Sequence, residues 1–80
     1  MKSYVLELPG ADATAGERAR TAAEQLTREG TTVRLVRSVY APEYETCRLV
    51  FEAVAPDAVE RAGARAGLTY TRIVEGERAS

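Results

Sequence analysis

The chain is expected to fold as one small α+β domain, a four-stranded antiparallel sheet with two helices on one of its faces. Three observations predict this. Four segments alternate apolar and polar residues, as strands with one buried side do, and two others repeat apolar residues every three to four positions, as half-buried helices do. Gly or Pro stands at most of the breaks between them. With 80 residues, there is room for one layer of helices on one sheet and no second domain.

Residues 2–8 place Tyr4, Leu6 and Leu8 on one side and Val5 and Glu7 on the other, until Pro9-Gly10 ends the strand. From Ala15 to Glu29 the apolar stripe Ala15, Ala19, Ala22, Ala23 and Leu26 predicts the first helix, with Thr14 or Asp12 as its cap and Gly30 as its stop. Thr32–Tyr40 alternates Val33, Leu35 and Val39 against Arg34, Val36, Ser38 and Tyr40, with Arg37 interrupting the apolar side. Thr46–Val54 alternates Cys47, Leu49, Phe51 and Ala53 against Arg48, Val50 and Glu52, and residues 41–45 are short enough for a hairpin. Pairing Tyr40 with Thr46 sets Val39 against Cys47, Val36 against Val50, Leu35 against Phe51 and Arg34 against Glu52, so both faces agree.

Pro56 fits the first position of a second helix reaching Ala66, with Ala58, Val59, Ala62 and Ala66 as its inner stripe and Gly67 as its stop. Leu68–Glu75 reads as the last strand. The domain then spans 1–75, and 76–80 is expected to be a frayed tail. The order βαββαβ is that of the ferredoxin-like split βαβ arrangement.

Composition narrows function by exclusion. Eleven basic and twelve acidic residues are mixed along the chain, which gives no electrostatic footprint for nucleic acid or an anionic membrane. There is no His and one Cys, Cys47, too few donors for a zinc staple or an intrachain disulfide; no metal or cofactor is expected. The first apolar run meets Glu7, Pro9 and Gly10, too soon for a signal peptide or a membrane span, so a cytoplasmic location is expected. No glycine pattern makes a phosphate loop.

The helix-free face carries Val5, Val36 and Val50 among polar neighbours. Ala-rich helices make a thin core, and three central valines are better covered than wet. A homodimer is therefore expected, two sheets packed face to face into a dimeric α+β barrel with those valines at the interface; a monomer with a mixed, solvated sheet is the alternative.

The strand Thr46-Cys47-Arg48-Leu49-Val50-Phe51-Glu52-Ala53, the helix opening Pro56-Asp57-Ala58-Val59, the corner Arg65-Ala66-Gly67-Leu68 and the closing Arg72-Ile73-Val74-Glu75 resemble a family of short bacterial ferredoxin-like proteins of unknown function, whose best-known member is a dimeric nickel-binding protein. Leu8-Pro9-Gly10 matches as well. The resemblance covers residues 46–75 and implies the fold and a dimer. It would also imply nickel, but the nickel-binding member uses histidines and this chain has none to receive that role. Ala55 stands where the family has Ser.

Candidate chemistry centres on the open face. Glu7, Tyr40, Arg48 and Glu52 are the catalytic candidates, a carboxylate as base with Tyr or Arg holding a developing oxyanion. Ser38, Tyr40, Arg48 and Glu52, with Tyr44 overhanging from the hairpin, are the candidates for binding a ligand. The plainer reading has these charges pairing across strands, as Arg34 and Glu52 already would. Cys47 falls on the core stripe with no base to activate it. The first functional expectation is a homodimer holding a small organic ligand, less readily a metal, between its sheets. The alternatives are a cofactor-independent cyclase, isomerase or monooxygenase using the same cavity, and a structural dimer without a pocket.

Overall fold

The computed structural model describes residues 1–70 and 73–76. Its elements are β1 (Lys2–Pro9), α1 (Ala15–Arg28), β2 (Val33–Ala41), β3 (Thr46–Ala53), α2 (Pro56–Arg65) and β4 (Ile73–Gly76). The strands form one antiparallel sheet in the order β2-β3-β1-β4, and both helices lie on one face, the ferredoxin-like arrangement. Among the described residues no helix is long and apolar enough to cross a membrane.

The helix-covered face holds the core. Tyr4, Leu6 and Leu8 from β1 and Cys47, Leu49 and Phe51 from β3 pack under Ala15, Ala19, Ala23 and Leu26 of α1 and Ala58, Val59 and Ala62 of α2. Alanines at these positions let the helix backbones lie close to the sheet, so the layer is thin and dense. In α2 the inner stripe ends on Gly63 and not on Ala66, which is half-buried. A Cβ on Gly63 would stand 3.0 Å from the Tyr70 ring, so Gly63 makes room for that ring over the helix.

Neither helix is capped by the side chain of its N-cap residue, Thr14 for α1 and Ala55 for α2. Thr14 is the N-cap of α1 without a bond from its own side chain; the Asp12 carboxylate accepts the Thr14 N–H at 2.9 Å and its hydroxyl at 2.6 Å. Those two bonds hold the Asp12 carboxyl below its usual range. Gly30 adopts φ +105° and Gly67 φ +69°, left-handed conformations in which the chain turns back from each helix. The Arg18 guanidinium donates to the Ala66 carbonyl at 3.1 Å, satisfying an end of α2 from α1.

Three expectations about the chain's elements need correction. Leu68–Tyr70 is not strand: Leu68 and Tyr70 pack against the core, residues 71 and 72 lie outside the described residues, and β4 is Ile73–Gly76. Gly76 belongs to β4, pairing with Ser3, so the expected tail loses its first residue, and 77–80 lie outside the described residues. The third correction concerns β2. Its pairing with β3 runs Arg34–Glu52 and Leu35–Phe51 as expected, then shifts by one residue between Leu35 and Arg37. Arg37 stands opposite Val50, Ser38 opposite Leu49, Val39 opposite Arg48, Tyr40 opposite Cys47 and Ala41 opposite Thr46. This is a β-bulge, two residues facing one.

The bulge has a clear physical reason. Strict alternation would carry Arg37 under the helices, where an unpaired charge costs several kcal/mol. With the bulge, Arg37 goes to the open face and Ser38 takes the inner position. Ser38 there lies against Gly16 of α1, where a Cβ would sit 2.7 Å from the Ser38 hydroxyl oxygen.

Candidate functional site

On the helix-free face, residues two apart on each strand line up across the sheet. Val74 pairs with Val5, Val5 with Val50, and Val50 with the bulged Val36-Arg37. A single apolar row thus crosses all four strands. Val36 and Val74 are exposed, while Val5 and Val50 are half-buried by their neighbours. Val39 joins them from the next position of β2, also exposed.

Charged residues flank the row on both sides. On one side the Arg34 guanidinium donates to Glu52 Oε1 at 2.5 Å; on the other Arg48 donates to Glu7 Oε2 at 2.8 Å. Both are pairs between adjacent strands, with Glu52 the most covered of the four side chains at 22% exposure. Together these residues line a depression of about 1160 Å³. Tyr44, 76% exposed in the turn at residues 42–45, stands at its margin.

Of the residues singled out from sequence, Val5, Val36, Val50, Glu7, Arg48, Glu52 and Tyr44 line this depression. Ser38 and Tyr40 do not. The bulge turns both toward the helix side, Ser38 against Gly16 and Tyr40 opposite the buried Cys47. A site combining a carboxylate with the Tyr40 hydroxyl is thereby excluded, because the two lie on opposite faces of the sheet. In their place the bulge supplies Arg37 and Val39. The sequence held a signal for this exchange: Arg37 was the one charge breaking an otherwise apolar stripe.

The two carboxylates of the depression are both engaged by arginines. Each candidate base, Glu7 and Glu52, accepts a hydrogen bond from an arginine of the neighbouring strand. Cys47 is buried among Leu49 and Phe51, and that burial pushes its thiol above the usual range, which makes it an inert core residue.

The donor set does not fit the nickel that the resemblance implies. The sequence has no His, and among the described residues no three His, Cys, Asp or Glu side chains come together. Imidazole or several thiolates are what a borderline metal requires.

No protein-family model matches this sequence, and no curated protein matches it. The crystal structure of SCO4226 from Streptomyces coelicolor A3(2) superposes on the chain with a TM-score of 0.74, covering 98% of this chain and 99% of that one at 18% sequence identity. At that identity the likeness is one of fold, the same ferredoxin-like arrangement over nearly the whole of both chains.

Proposed function

We propose that this chain works as a homodimer, two sheets packed through their helix-free faces, and that it holds a small organic ligand in the space between them. The observation that carries the reading is the valine row crossing all four strands between two ion pairs, one on each side. Burying one valine contributes roughly 1.5–3 kcal/mol. Several from each subunit make a term comparable with the net stability of a small domain, about 5–15 kcal/mol. The depression on one sheet exceeds the roughly 300 Å³ a small ligand needs, which supports a ligand between the sheets. The lone buried thiol, Cys47, suits the reducing cytoplasm.

Light scattering at tens of micromolar tests the first half, with twice the chain mass expected; a monomer would end the proposal. Native mass spectrometry of the purified dimer tests the second half through any organic molecule that remains bound. A dimer that takes up no apolar molecule would instead have a filled interface and a structural role.

A further inference from the structure

Among the described residues that line the depression, arginines outnumber glutamates. Three arginines line the depression, Arg34, Arg37 and Arg48, against two glutamates, Glu7 and Glu52. Arg34 and Arg48 are held by the glutamates. Among the described residues the Arg37 side chain has no ion pair or hydrogen bond. Arg37 is thus the guanidinium beside the valine row that no described carboxylate holds. As long as the face is open, water solvates it. Once a second sheet covers the face, an uncompensated guanidinium becomes costly.

From this we infer that the ligand is an organic anion: an apolar body lying along Val5, Val36, Val39 and Val50, with a carboxylate or similar acid group received by Arg37. The inference rests on the dimeric cavity proposed above and names the chemistry of its occupant. The bulge is what makes it possible. It places Arg37 beside the valine row, opposite Val50, so that cation and apolar surface adjoin as the two ends of an amphipathic acid do. A planar guanidinium accepts such a group through two parallel hydrogen bonds. A neutral molecule of the same shape gains only the apolar contact.

Octanoate and octanol, which share a chain and differ in the acid group, test this by titration calorimetry against the wild-type protein and the Arg37→Gln, Arg37→Lys and Arg28→Gln variants. Arg28 is on α1, far from the depression. Octanoate is expected to bind more tightly than octanol. Arg37→Gln is expected to weaken octanoate about tenfold, the effect of losing one charge-assisted interaction, and to leave octanol unchanged; Arg37→Lys loses less and Arg28→Gln nothing. Equal affinity for acid and alcohol, or octanoate binding indifferent to Arg37→Gln, overturns the inference while the cavity stands. If neither molecule binds, or if light scattering on the same samples shows monomers, the cavity reading itself fails and this inference with it.

Discussion

The two faces of this sheet are made from the same strands yet are finished in different ways. Beneath the helices, Leu6, Leu49 and Phe51 are wholly buried, and among the described residues no charged one is enclosed. On the other side, valines alternate with arginines and glutamates, and several valines remain exposed. The covered face is completed by its own chain, since alanines in α1 and α2 bring two backbones down onto it. The open face has the apolar row without helices over it. Beside that row Arg34 pairs with Glu52 and Arg48 with Glu7, while Arg37 stands without an ion pair among the described residues. The difference teaches that period-two alternation distributes side chains between two faces without saying what closes either of them.

The sharpest break in this comparison comes from the covered side. Phe51→Ala is expected to cost about 3–5 kcal/mol, because Phe51 is fully enclosed and the space it leaves cannot collapse under two helices. Urea unfolding measures this, and a loss below about 1 kcal/mol would mean that the core is far looser than described. The matching change on the open side is Val50→Lys. It is expected to separate the subunits, removing roughly 3 kcal/mol from the dimer as one valine is lost from each face, while the isolated subunit keeps its helical and strand signals by circular dichroism. An unchanged dimer by light scattering would place the interface elsewhere.

A smaller effect tests which side of the sheet Ser38 occupies. In a free helix Gly16→Ala would stabilise by up to about 1 kcal/mol. Here the added methyl meets the Ser38 hydroxyl oxygen at 2.7 Å and its Cβ at 3.0 Å, so a net loss of roughly 1 kcal/mol is expected. On a Ser38→Gly background the sign should reverse; additive effects in the double-mutant cycle would mean that the two residues do not touch.

The smallest effect concerns charge on the helix layer. The hydrogen bond from Arg65 holds the Glu29 carboxyl below its ordinary value of 4.5. A carboxyl depressed in the folded state contributes stability that is fully present above its unfolded value and is lost as pH falls through its folded value. Glu29→Gln should therefore flatten the fall in Tm below about pH 4.5 and leave Tm at neutral pH little changed. Because the pair is exposed, the difference will be slight.

How much of this was legible in the sequence differs along the chain. β1 and β3 alternate without interruption, and Leu6, Leu8, Leu49 and Phe51 were placed correctly in the core from that pattern alone. The hairpin register was right as far as Leu35 and failed beyond it, because an extra residue in one strand leaves the alternation of hydrophobic letters intact while inverting what it means. Only the misplaced charge of Arg37 betrayed it. Gly63 was missed for another reason: a glycine on a helix gives no apolar signal, and its role depends on the Tyr70 ring, which arrives from beyond the helix. The valine row was half visible, through Val5, Val36 and Val50. Val74 joins it only through the β1–β4 register, which no local pattern sets.

At residues 36 and 37 the second strand is one residue longer than its ladder requires. Removing Val36 would leave Leu35 on Phe51, Arg37 on Val50 and Ser38 on Leu49, a regular ribbon with no partner exchanged. Two chains built on this scaffold can therefore differ by one residue in the middle of a strand, where gaps are ordinarily thought forbidden, and still superpose along their whole length.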